Sequence, residues 1–281
     1  MKVLALTTDG KLTYCSASPE NRGKGRCNHV GHQNENETQE DFVKRVTKDL
    51  LKQATGNEKD EVLSLRKSKK LKMIANNENL DVLVDDKNWE VRAAVAGQGY
   101  GLDKLVNDKN AYVRLNVAKQ FYGLDKLVDD KDSTIRKTVA EQGYGLDKLI
   151  NDKNSEIRAT VAKQGYGLNK LVDDEDWFVR SAVAEQGYGL DKLVNDKNAF
   201  VRRTVVRQKY GLDKLIDDSN FRVREAVAEQ GYGLDKLVND RNADVRAAVA
   251  RQGYGLDKLA NDKDKYVSEI ARELLYDKKE G

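Results

Sequence analysis

The sequence predicts a mainly α-helical fold, a solenoid of nine 22-residue, two-helix repeats behind a small head that contains a β-hairpin. Three observations carry that expectation. A 22-residue period runs without a slip, with units starting at residues 77, 99, 121, 143, 165, 187, 209, 231 and 253. Apolar residues hold fixed places in it: Leu at unit positions 4 and 7, Val or Ile at position 15, and Val at position 19 in the first eight units. Between those places the chain is very polar, 35% charged and 7% aromatic. One unit therefore cannot bury its own apolar face, and neighbours must stack.

The head, residues 1–37, lies outside the repeat. Its segments VLAL and LTYC flank Asp9-Gly10, a turn signal between two short strands. The Cys and His residues of the chain all fall here: Cys15, Cys27, His29 and His32. Their side chains suit zinc, the one cofactor the sequence suggests. Their spacing, Cys-x11-Cys-x-His-x2-His, matches no standard finger, and ordinary packing or hydrogen bonding is the competing reading. Cys27 and His29 have no orienting acid at a telling spacing, so no catalytic residues are expected and the chain reads as non-enzymatic.

Residues 38–76 are expected to be connector helices that cap the array. Thr38 with Asp41 forms a capping box for a helix running to about Thr55, with Phe42, Val46 and Leu50 on one face. The stretch LRKSKKLKMIAN, Leu65 to Asn76, is a basic amphipathic helix that closes the first unit. The repeats follow over 77–274, and 275–281 is a tail. Within a unit, GLDKLVND makes a short first helix of one or two turns. Asn or Asp at position 12 caps a second helix of about ten residues, which Gln-Gly ends.

The copies of DKNAYVRLNVA, with Val113-Arg114, Val179-Arg180 and Val245-Arg246 among them, resemble the helix of HEAT-like and variant leucine-rich repeats. The 22-residue period favours the variant leucine-rich type. The resemblance covers residues 77–274 and implies a right-handed α-solenoid that binds other molecules; it implies no activity. Cys15 and Cys27 are too few for the iron–sulfur segment that family can carry. The amino-terminal segment resembles small proteins of phages and mobile elements of Gram-positive bacteria. That resemblance implies an inhibitor of a bacterial host or defence protein.

Several columns recur once per unit. The Arg column, Arg92 to Arg246, and the Asp column, Asp86 to Asp262, suit each other as a structural ladder of charge-assisted hydrogen bonds. The Lys column comprises Lys104, Lys126, Lys148, Lys170, Lys192, Lys214, Lys236 and Lys258. It would carry the alternative function, contacts to a duplex nucleic-acid backbone. Each of these lysines neighbours an Asp, or Asn169 in one unit, and the nine units sum to −2, so nucleic acid is the weaker reading. A second period of 44 residues runs beneath the first: position 9 alternates Asp and Asn through the first eight units, and position 21 alternates acidic and basic from Lys119 onward. Opposite charges on adjacent layers attract, and the alternation discourages a one-unit slip.

What varies is expected to be the contact surface. Positions 13, 14, 17 and 21 of the second helix are read as exposed, on a concave face. Both tryptophans and three of the five phenylalanines fall at positions 13 and 14. Trp89, Tyr112, Trp177, Phe178, Phe200, Arg203, Phe221 and Arg222 are the predicted protein-binding residues, because buried aromatics and Arg dominate protein interfaces energetically. The net charge of +3 demands no polyanion, and no apolar run is long enough to span a membrane. Two Cys and no signal-peptide pattern place the expectation in the cytoplasm.

Overall fold

Each repeat unit is closed at both ends by its own side chains and backbone. In the fourth unit, the Asn154 carboxamide oxygen accepts the Glu156 N–H at 2.8 Å, capping the second helix (Ser155–Lys163). The Asp152 carboxylate accepts the Asn154 N–H at 2.9 Å and fixes the turn before it. At the far end Gly165 has φ 73°, and the N–H of Tyr166 reaches Val161 O at 3.3 Å. That is the left-handed turn and backward hydrogen bond that satisfy the last carbonyls of a helix.

The computed structural model describes residues 3–7, 12–15, 29–34 and 36–280, which fall into two compact parts, 1–101 and 102–281. In the first, β1 (Val3–Thr7) pairs antiparallel with β2 (Leu12–Cys15) and with β3 (His29–His32), giving the order β2-β1-β3. The register pairs Val3 with Cys15 and Ala5 with His32, and an irregularity falls between Leu6 and Thr7. The predicted Asp9-Gly10 turn lies outside the described residues. β3 is a strand the sequence does not announce, because its residues read first as metal-ligand types.

α1 (Gln39–Ser64) starts at Thr38, whose hydroxyl oxygen accepts the Asp41 N–H and donates to the Asp41 carboxylate at 2.7 Å. It runs nine residues past the expected end at Thr55. Gly56 inside it costs only about 1 kcal/mol, and α1 packs against α3 (Leu80–Leu83). Phe42 and Val46 are buried. Arg45 ties the helix start to the sheet: it donates to both Glu37 carboxylate oxygens at 2.7 and 2.8 Å and to His32 O at 3.0 Å. Those Arg45 bonds lower the Glu37 pKa to about 2.

α2 (Lys67–Ala75) precedes the second helix of unit one, α4 (Trp89–Gly97), by 22 residues at both ends and packs against it. Lys70 Nζ donates to Asp86 Oδ2 at 2.5 Å and to Leu63 O at 2.8 Å. Lys70 thereby takes the place that Arg holds in the later units, sixteen residues before its Asp. Repeat geometry thus begins one unit before repeat sequence does. Asn77 and Asn79 stand where most later units have Gly, with φ 59° and 54°; Phe121 and Lys209 share the first of these places with φ 57°.

Residues 102–281 form an α-solenoid of eight two-helix units, numbered two to nine. Val or Ile at position 15 and Val at position 19 are fully buried in each unit from two to eight, and Leu at position 7 is nearly so. The Arg ladder joins the layers. Arg158 Nε and Nη2 donate to the two Asp174 carboxylate oxygens of the next unit at 2.7 and 2.8 Å, while Nη1 donates to Asp152 O of its own unit at 2.8 Å. Seven such bridges run from Arg114–Asp130 to Arg246–Asp262. The Gln column adds a thinner bond: Gln142 Nε2 donates to Ala118 O of the preceding unit at 2.8 Å. The last helix (Lys265–Glu280) continues through residues 275–280, the segment assigned to a tail.

Candidate functional site

Position 12 caps every second helix from unit one to unit eight, so positions 13 and 14 sit at its first turn, just before the buried Val or Ile at 15. This places position 13 of one unit beside position 14 of the next, 23 residues on. In unit one, Lys67 uses the same relation to reach Glu90 at 2.6 Å. Between units five and six the relation joins Trp177 and Phe200, with ring centroids 5.2 Å apart and planes at 30°. Phe178 meets Trp177 edge-on at 6.0 Å. All three stay 39–49% exposed. Aromatic side chains gain about 1 kcal/mol from such contacts beyond their burial, and the faces left uncovered keep that capacity for a partner.

Cations lie against aromatic rings along the row of second helices. Lys163 Nζ lies 5.6 Å from the Phe178 ring centre, Arg222 lies over Phe221 at 5.8 Å, and Arg251 lies over Tyr266 at 5.6 Å. Arg251 also donates to the Tyr266 hydroxyl at 2.5 Å. In the sequence, Lys163 and Arg251 stand out only through the charge alternation of position 21. The signal for their second role is a fifteen-residue spacing from a position-21 cation to a position-14 aromatic. Beside Trp177 an open cleft of about 670 Å³ is lined by Asp176, Trp177, Arg180 and Lys197. A smaller one of about 180 Å³ sits between Tyr112, Leu115 and Ile135.

The predicted contact residues differ in how far they are exposed. Tyr112, Phe178, Phe200 and Arg222 are exposed at position 14. Phe221 is half-buried at position 13, and Trp89 belongs to residues 1–101. Position 17 forms the floor of the face: Ala159, Ser181 and Ala247 are buried there, and Arg203 is half-buried with its Nε enclosed and unbonded. Small neighbours let the helices close over this position, which a helical wheel of one unit cannot register. Glu225, next along the floor, has its pKa raised by burial and by Glu229 and Asp244, against a lowering by Arg203 and Arg251.

The opposite edge, lined by the short helices, carries the Lys column. Lys148 and Lys192 bind Asp129 and Asp173 of the preceding unit, and Lys236 binds Asp217 at 2.5 Å. Lys170 and Lys258 bind Asn151 and Asn239 instead. These five lysines are therefore engaged by position 9 of the unit before, and the Asp/Asn alternation makes every second joint an ion pair. The Arg column is withdrawn further, its side chains only 7–14% exposed in the seven bridges. Its guanidinium pKa values are raised, first by the hydrogen bonds to Asp, as at Arg158 with Asp174.

Cys27 lies outside the described residues, as do the side chains of Cys15 and His29. Among the described residues no group of three or more His, Cys, Asp or Glu could hold a metal. No described helix is long and apolar enough to cross a membrane.

No protein-family model and no curated protein matches the chain. Among solved structures, it is similar to a designed armadillo repeat protein in complex with the peptide (KR)4, at 18% identity over 80% of this chain and 91% of that one. The TM-score is 0.12, too low to carry an argument about either fold or function.

Proposed function

We propose that this protein is a non-enzymatic repeat scaffold that binds a protein partner on the row of second helices. The stacked platform of Trp177 and Phe200 with Phe178 on its edge carries the proposal. Three large aromatic side chains held in fixed geometry, still two-fifths or more exposed apart from Phe178 at 39%, suit an interface anchor. The amino-terminal resemblance makes a bacterial host or defence protein the class of partner to screen first, with the chain acting as its inhibitor. Nucleic-acid binding through the Lys column is disfavoured by the Asp and Asn side chains that already engage it.

The test is capture from bacterial extract with and without nuclease, using the wild-type chain, Trp177→Ala/Phe200→Ala, and Lys148→Glu/Lys192→Glu. Nuclease-resistant capture lost only in the aromatic variant supports the reading. Capture that disappears with nuclease or in the Lys variant, and survives loss of both aromatics, overturns it.

A further inference from the structure

In units two to nine, position 14 and position 21 of the second helix are exposed in every unit. They lie seven residues apart at opposite ends of one helical face, with position 17 between them, small and buried at Ala159, Ser181 and Ala247 and larger at Lys137, Arg203 and Glu225. The side chains at these two positions are not a random polar set. They are self-complementary.

We propose that this face pairs with the same face of a second copy of the chain, about a two-fold axis parallel to the second helices and midway between units five and six. The proposal rests on the reading of the face as a protein-binding surface and names its partner. Such an axis reverses the order of units while keeping the helix direction. Unit five then faces six, four faces seven, three faces eight and two faces nine, with position 14 against 14 and 21 against 21. An interface of this kind presents one patch to itself, so each pair occurs twice.

At position 14 the rotation sets Phe178 against Phe200 and Glu156 against Arg222. Further out it sets Thr134 against Asp244 and Tyr112 against Tyr266. Apolar meets apolar, acid meets base, hydroxyl meets carboxylate, and phenol meets phenol. At position 21 it sets Glu185 against Arg207 and Lys163 against Glu229, and the alternation continues that match outward to both ends. The aromatic platform falls on the axis, and the charged pairs flank it. That is the arrangement of a hot-spot centre with a polar rim that fixes register.

Other placements match worse. An axis between units four and five sets Glu156 against Phe178. An axis through unit five sets Glu185 against its own copy. A two-fold along the array, with helices reversed, sets Phe178 against Glu185 and Phe200 against Arg207. The 44-residue super-period thus gains a purpose beyond attraction between layers: it makes opposite charges meet across any axis that lies between units.

Sedimentation velocity and light scattering of the full chain over a wide concentration range test the proposal. The wild type is expected to show a monomer–dimer equilibrium. Glu156→Arg and Arg222→Glu each place two like-charged pairs in the dimer and are expected to weaken it about tenfold or more. An equimolar mixture of the two variants restores both pairs as Arg–Glu, so it is expected to dimerise while neither does so alone. That rescue requires folded chains and is specific to the proposed axis. With the two-fold along the array, residue 156 meets Lys163 and mixing restores nothing. Asp191→Arg, exposed on a short helix, is expected to leave the equilibrium unchanged. A wild type that stays monomeric at every concentration, or a mixture that does not rescue, overturns the self-pairing. In that event, capture of another protein that depends on Trp177 and Phe200 still upholds the protein-binding reading, and capture indifferent to them removes both.

Discussion

Asp129 and Asp130 are adjacent in sequence and differ in everything that sets their energetic weight. Asp130 accepts two hydrogen bonds from Arg114 at 2.6 and 2.8 Å, with both side chains under a tenth exposed. Asp129 pairs with Lys148 while remaining 60% exposed. Removing one partner of an enclosed ion pair leaves the other charge uncompensated, so Asp130→Ala is expected to destabilise by about 3 kcal/mol. Asp129→Asn is expected to cost less than about 1 kcal/mol, and that cost is expected to shrink in high salt. Urea unfolding at two ionic strengths separates them. The ladder also sets the acid limit. Burial alone would raise the pKa of Asp130, Asp152, Asp196 and Asp240, but hydrogen bonds from Arg and from the backbone N–H two residues on outweigh it and lower all four. A carboxyl whose folded pKa lies below its unfolded value, near 3.9, contributes its full stability above that pH and loses it as pH falls through the folded value. Thermal unfolding followed by circular dichroism is therefore expected to hold steady down to about pH 4 and then fall steeply. Asp152→Asn should flatten that fall, and an unchanged slope would remove the ladder as its cause.

At the scale of the element, the two glycines of each Gly-Tyr-Gly turn do different jobs. Gly143 and Gly145 both have positive φ, 74° and 62°. A Cβ on Gly143 meets nothing within 4 Å, whereas one on Gly145 would lie 2.5 Å from Val128 Cγ2 of the preceding unit. Gly143→Ala is expected to cost about 1 kcal/mol, the left-handed penalty alone, and Gly145→Ala more, about 2–3 kcal/mol, because the layers must part as well. Equal losses in denaturant unfolding would count against a close approach between layers. The same turn explains what sequence reading reached and what it missed. The Arg–Asp contact recurs at a fixed sixteen-residue spacing, so the ladder is legible from two columns. α2 does not read as a unit in the sequence because Lys70, Asn77 and Asn79 replace the Arg and both glycines that mark the period. Only their geometry, with Lys70 on Asp86 and both Asn residues at positive φ, gives it away. Lys70→Arg is accordingly expected to fold with near wild-type stability. Lys70→Ala, which strands a carboxylate only 1% exposed, is expected to lose about 3–5 kcal/mol in the same assay. The aromatic platform was legible as the residues that break the refrain. The burial of Arg203 was not, since it depends on how closely two neighbouring helices approach.

For the molecule as a whole, the question is whether its unit of construction is 22 residues or 44. Stacking argues for 22: each layer repeats the same caps, core and Arg bridge, and in such arrays stability is a sum of units and nearest-neighbour joints. Charge argues for 44. The joints between units three and four, five and six, and seven and eight close with Lys–Asp pairs at the short-helix edge, and those between four and five and eight and nine with Lys–Asn. At the other end of the second helix, Lys163 lies 3.9 Å from Glu185 in a row that alternates sign. Excising unit four, residues 143–164, would bring Glu141 beside Glu185. Excising units four and five, residues 143–186, would bring Glu141 beside Arg207 and Lys192 beside Asp129, restoring both relations. Each deletion keeps the helix caps, the Val and Ile core positions and an Arg–Asp bridge at the new joint, so both shortened chains are expected to fold. The shorter excision removes less core yet adds a repulsive joint. At low salt its stability per remaining unit is expected to lie below that of the two-unit excision, by up to about 1 kcal/mol at the new joint. At high salt the difference is expected to vanish, because the charges concerned are half exposed and screened. Guanidinium would mask this by supplying the salt itself, so urea is the denaturant to use. If the two excisions differ only by the core they remove, at every ionic strength, the 44-residue pattern has no part in stacking and its purpose lies on the outer face.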